Sequence, residues 1–104
     1  MTRNRARQRE NGVRVIICVG DFDAETLGGL KAAIAHPEVR RLVLDVTTVT
    51  FADSSMLNVM ILLLRTGRLV LTGPIAAQLG RLLDLTGAGP LFPTADTVEA
   101  ARVL

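Results

Sequence analysis

The chain has 104 residues, 49% of them apolar and 21% charged, which is enough for one compact core and too few residues for two. Four of its twelve basic side chains, Arg3, Arg5, Arg7 and Arg9, lie in the first nine residues, so the remainder sets eight basic against ten acidic groups and is slightly acidic. With 3% aromatic residues and no Trp or Tyr, the body of the domain lacks both the charge and the stacking platforms of a nucleic-acid binder.

Along the chain, Asn11-Gly12 precedes Val13-Arg14-Val15-Ile16-Ile17-Cys18-Val19, and an Asn-Gly pair before a β-branched run signals a hairpin. Residues 3–9 and 13–19 are therefore expected as strands, the first a basic antiparallel edge with its four arginines on one face. Gly20-Asp21-Phe22-Asp23 is expected to end the second strand, with Asp23 capping a helix over about 24–35 on Leu27, Leu30 and Ile34. Gly28-Gly29 weakens that helix and Pro37 closes it. Arg41-Leu42-Val43-Leu44-Asp45-Val46 reads as a strand buried on both faces, followed by a loop from Thr47 to Asp53.

Asp53 caps a short, almost wholly apolar helix over about 54–65. Arg68-Leu69-Val70-Leu71-Thr72 is the next strand, and Gly73-Pro74 is expected to open a helix that Gly87 ends. Leu91-Phe92 is expected as a short last strand. Asp96 and Glu99 have capping-box spacing for a final helix to about residue 103. The order β-β-α-β-α-β-α-β-α implies an α/β fold with a mostly parallel sheet, an antiparallel N-terminal edge strand and about four helices. No linker or repeat interrupts it, so residues 1–104 are expected to form a single domain. No apolar run approaches the ~18 residues of a membrane span. The N-terminus has no apolar core of the signal-peptide kind, and the lone Cys18 cannot pair internally, so a cytoplasmic setting is expected.

Few residues suggest chemistry. His36, the only histidine, sits at a helix end where a cation is stabilised, and Cys18 lies within an apolar strand. One His and one Cys cannot assemble the usual transition-metal site, and Gly87-Ala88-Gly89-Pro90 ends a helix rather than opening one around a phosphate. No cofactor and no enzymatic activity are expected. What remains is Asp53-Ser54-Ser55 at the start of the apolar helix. Its bland role is capping, worth ~1 kcal/mol. Its other reading is a modification site, because a phosphate on a first-turn serine gains from the helix dipole and free N–H groups.

Gly20-Asp21-Phe22-Asp23, Leu42-Val43-Leu44-Asp45-Val46 and Val49-Thr50-Phe51-Ala52-Asp53-Ser54-Ser55-Met56-Leu57, continuing through Leu69-Val70-Leu71-Thr72-Gly73-Pro74 and Thr97-Val98-Glu99-Ala100-Ala101, resemble the STAS domain of sulfate transporters and anti-sigma-factor antagonists. The resemblance spans nearly the whole chain, and Asp-Ser-Ser is its most specific step. It implies that Ser54 accepts phosphate from an anti-sigma-factor kinase and that Asp53 helps present the serine. It implies too that Asp23 lies near the same surface, and that the unphosphorylated protein binds the anti-sigma factor. The family usually has glycine where this chain has Met56.

Only Asn58 is polar from Met56 to Leu64. A wheel that turns Leu57, Ile61 and Leu64 toward the sheet leaves Val59, Leu62 and Leu63 outward with Met56 at the margin. Asp23, Asp53, Ser54, Ser55, Met56, Val59 and Leu63 are thus the expected partner-binding residues. The apolar face would serve an anti-sigma factor or a second copy of the chain. A constitutive scaffold assembling through this helix, without phosphorylation, is the alternative. Nucleic-acid or acidic-surface binding through the arginine arm is a third reading, against the simpler one of a charged edge strand that discourages edge pairing.

Overall fold

The computed structural model describes residues 12–28, 30–31 and 40–103 in full and residues 2–10 by their backbone. Five strands form one sheet in chain order: β1 (Thr2–Glu10), β2 (Val13–Phe22), β3 (Arg41–Ala52), β4 (Leu69–Thr72) and β5 (Thr94–Ala95). Strands β2 to β5 run parallel, and β1 pairs antiparallel to β2 across the turn at Gly12. The Gly12 carbonyl then accepts from the N–H groups of Arg40 and Arg41, which ties the hairpin to the start of β3. A register shift between Ala6 and Arg9 interrupts the two-residue repeat on which a single face for the four arginines depended, and those side chains lie outside the described residues.

Alternation sorts the central strands into two cores. Ile16, Cys18, Leu42, Leu44, Leu69 and Leu71 point to a large core beneath α1 (Ser54–Leu64) and α2 (Ala77–Thr86). Val13, Val15, Val43 and Val70 point to a smaller one that α3 (Val98–Arg102) covers with Ala101. Cys18 is fully enclosed, and burial, with Asp45 adding repulsion, pushes its thiol up to about 12, so it stays protonated and inert at neutral pH.

The structure corrects several expected boundaries. Strand β2 continues through Gly20, Asp21 and Phe22, and the expected 47–53 loop is the second half of β3. Two bulges cause this: Ile17 pairs with Asp45 but Val19 with Thr48, and Gly20 pairs with Val49 but Asp21 with Phe51. Each inserts one extra residue into β3. Val46, Val49 and Ala52 are therefore buried at every third position, with Thr47-Thr48 and Thr50-Phe51 exposed between them.

Of the helix expected over 24–35, residues 28, 30 and 31 are helical and 32–39, His36 included, lie outside the described residues. Residues 23–26 form a tight turn instead, because Asp23 Oδ1 accepts from the N–H groups of Glu25 and Thr26. Helix α2 begins at Ala77, not Pro74, and Gly87 ends it in the left-handed conformation at φ 71°. Gly89-Pro90-Leu91 makes a 3-10 turn where a strand was expected, and β5 follows Pro93. The cap of α3 is Thr97, which accepts from the Ala100 N–H, rather than Asp96.

Candidate functional site

Chain direction in a parallel sheet brings the loops after β2 and β3 to one end, the usual location of function in such folds. Phe22 and Ala52 pair as the last residues of these strands, and the Asp53 N–H donates to the Phe22 carbonyl at 3.2 Å. Asp23 and Asp53 therefore leave the sheet side by side.

Asp53 is extended (φ −109°, ψ −172°), as a helix N-cap requires. Its Oδ1 accepts from the N–H groups of Ser55 at 2.9 Å and Met56 at 3.3 Å, and its carbonyl accepts from Leu57. The carboxylate thus both satisfies orphan donors and sets a negative charge at the positive end of α1. Ser54 follows as the first helical residue. Its side chain is exposed and makes no hydrogen bond among the described residues, whereas Ser55 is half-buried. Replacing Asp53 by Ala is expected to cost about 1 kcal/mol of stability in urea unfolding. Asp53→Asn, which keeps the acceptor, should recover most of that; equal losses for both would put the contribution in the charge instead.

Asp23 Oδ1 is engaged in the same way, by its own turn and by the Thr26 hydroxyl at 3.1 Å. Next to it, Thr50 Oγ1 donates to Asp21 across the β2–β3 pair. Both expected aspartates therefore act as backbone clamps that leave this end of the sheet acidic.

The apolar helix sets Leu57, Ile61 and Leu64 against the large core, as expected, but buries residues of the expected outer face as well. Met56 is fully buried, Val59 is 7% exposed, and Met60 is fully buried, all within the large core, with Leu63 half-buried against it. Once Asp53 fixes the first turn, Met56, Val59, Met60 and Leu63 form the i, i+3, i+4, i+7 stripe that meets the sheet. Burial of each methionine stabilises the fold by about 1.5–3 kcal/mol. The outward face consists of Ser54, Asn58 and Leu62, spaced four residues apart, with Leu62 55% exposed. Met56, Val59 and Leu63 thus leave the expected partner surface for the core. The Met56 side chain, in the position of the family glycine, points away from the approach to Ser54.

Sequence reasoning missed Gln78. Its Nε2 donates to the Ala52 carbonyl at 2.9 Å, and its Oε1 accepts the Ala52 N–H at 2.7 Å. It lies 26 residues downstream in α2, and no local pattern announces the pairing. Phe51 and Ile75, 42% and 37% exposed, were also passed over as surface residues. Among the described residues no group of three acidic, histidine or cysteine side chains could hold a metal ion, and no helix is long and apolar enough to cross a membrane.

A family model described as the STAS domain matches residues 4–101. Among solved structures, the unphosphorylated form of the anti-sigma factor antagonist SpoIIAA superposes with a TM-score of 0.77 at 23% identity, covering 97% of this chain and 96% of that one. An anti-sigma factor antagonist from Mycobacterium paratuberculosis gives 0.74 at 23% identity over 99% and 92% of the two chains. The phosphorylated form of SpoIIAA, described as a Bacillus cell fate determinant, gives 0.71 at 23% identity over 98% and 100%. At this identity the likeness establishes a shared fold.

Proposed function

Because the chain belongs to the STAS domain family, we propose that it is a cytoplasmic, non-enzymatic anti-sigma-factor antagonist switched by phosphorylation of Ser54. One observation carries this reading: within Asp53-Ser54-Ser55, Ser54 alone is exposed, without a hydrogen bond among the described residues, and at the first position of a capped helix. The structural neighbours that are anti-sigma factor antagonists support the role.

The chemistry is a phosphoryl transfer in which this chain is the substrate. The Ser54 hydroxyl oxygen attacks the γ-phosphorus of ATP held by a serine kinase that is also the anti-sigma factor. The bond to ADP breaks, and the hydroxyl proton passes to a base of the kinase. This chain contributes presentation. The Asp53 cap fixes the direction of the first turn, and the burial of Met56 and Met60 anchors the helix behind it.

The partner surface in this reading comprises Asp23, Asp53, Ser54 and Ser55, extended along α1 by Asn58 and Leu62. Assembly through an apolar outer face loses its support, since Met56 and Val59 belong to the core.

Incubation with a cognate anti-sigma kinase and ATP, followed by intact mass, tests the assignment. The wild-type protein is expected to gain one phosphoryl group and Ser54→Ala none. No gain on the wild type, or the same gain on Ser54→Ala, would sink it.

A further inference from the structure

Strand β4 is short. Its pairing with β3 runs from Leu42↔Leu69 to Asp45↔Thr72 and stops there. Strand β3 continues for seven more residues, to Ala52. Over this stretch β2 pairs along one side, from Val19↔Thr48 to Phe22↔Ala52, while β4 has already ended on the other. At the last residue of the stretch, the Gln78 side chain takes the place of a strand. A primary amide has the same donor and acceptor as a peptide unit, and here both engage one residue, Ala52, at 2.9 and 2.7 Å. Ala52 is fully buried, so without Gln78 its N–H and C=O would be desolvated with no partner on that side.

Ala52 immediately precedes the capping Asp53 and stands two residues before Ser54. We infer that Gln78 is the positioning residue of the Ser54 step. By holding the end of β3 through its backbone, it sets the direction in which Asp53 and Ser54 leave the sheet. Since Gln78 lies in the first turn of α2, that helix and the Ser54 helix are registered to each other through one residue, Ala52. The consequence for phosphoryl transfer rests on the proposed function. The positioning itself does not, and the two can fail separately.

The test uses two variants of the full chain. Gln78→Leu keeps the bulk and removes both hydrogen bonds. Gln78→Glu keeps them only while its carboxyl is protonated, because an ionised carboxylate has no proton to donate to the Ala52 carbonyl and is repelled by it. Amide protection factors are read by NMR hydrogen exchange. In Gln78→Leu, protection at Ala52, Ser55 and Met56 is expected to fall about tenfold while Val15 and Ile16 keep theirs. In Gln78→Glu the introduced carboxyl is expected to titrate above the ordinary glutamate range, and protection at Ser55 and Met56 to fall as it ionises. Unchanged protection at all three sites, a loss spread evenly over the sheet, or an ordinary titration without effect on Ser55 and Met56 would overturn the inference.

With a cognate kinase and ATP, Gln78→Leu should lower kcat roughly tenfold at unchanged KM, whereas an unchanged kcat on a phosphorylatable wild type would also overturn it. A wild type that takes no phosphate would refute the proposed function and leave Gln78 to be decided by the exchange data.

Discussion

Phosphorylation of Ser54 is expected to weaken binding to the anti-sigma partner by about a hundredfold, and Ser54→Glu by a smaller factor in the same direction. The expectation follows from where the charge is added. Asp53 already sets one carboxylate at the start of α1, and Asp21 and Asp23 flank Phe22, the last residue of the neighbouring strand. A phosphoserine adds nearly two more negative charges beside them. Any partner surface that accepts the unphosphorylated site meets one uncharged hydroxyl there. After modification it must desolvate a dianion or withdraw. The helix dipole and first-turn N–H groups soften the cost to the folded protein itself, so stability should change far less than affinity. Calorimetric titration of the cognate anti-sigma factor with unmodified and phosphorylated protein measures the difference. Equal affinities would remove the switch while leaving the acceptor assignment intact. Leu62→Glu, two turns along the same exposed stripe, separates local charge at Ser54 from a general intolerance of charge on this face.

The second large effect concerns Gly73, which follows β4 with φ +83°. A Cβ built there would stand 1.9 Å from Thr47 Oγ1 and 3.3 Å from Asp45 Oδ1. Gly73→Ala therefore combines a left-handed backbone, costing about 1–2 kcal/mol for a side-chain-bearing residue, with a collision that the Thr47 side chain must shift to relieve. We expect a total loss of roughly 3 kcal/mol or more in urea unfolding. Thr47 is exposed, so removing its hydroxyl offers an independent check. Thr47→Ala in the Gly73→Ala background should return the collision share and leave the backbone share. Strict additivity of the two substitutions would show that the close approach is absent in solution. The turn matters for the site because residues 73–76 deliver the chain to Gln78.

These details mark where sequence reading succeeds. The buried strands 41–46 and 69–72 are legible because apolar residues there serve two cores at once, and Asp53 is legible because capping is a local matter between a carboxylate and the next three residues. The upper half of β3 resembles a loop in sequence because its bulges convert the two-residue repeat to Val46, Val49, Ala52. A period of three resembles neither a strand nor an amphipathic helix. Helix α1 is placed correctly, with Leu57 inward and Leu62 outward as expected, but Val59 and Leu63 turn to the core, since a segment with a single polar residue gives the wheel little to fix its phase. Ser54 and Asn58, four apart and both hydrophilic, were the available signal. Extended by one turn they keep Leu62 in the outward set and exclude Val59 from it. Gln78 was illegible for a different reason, as its role depends on where β4 stops.

Cys18 gives the molecule a clock of its own. Its thiol is the chain's only one, fully enclosed and held protonated up to about 12. A thiol reagent can reach it only when the large core parts, so modification proceeds at the pace of that opening. Each labelled molecule then records one excursion out of the native state. The same reading taken with and without phosphate on Ser54 would report how far the charge at the helix start is felt in the centre of the sheet, with no probe added to the switch.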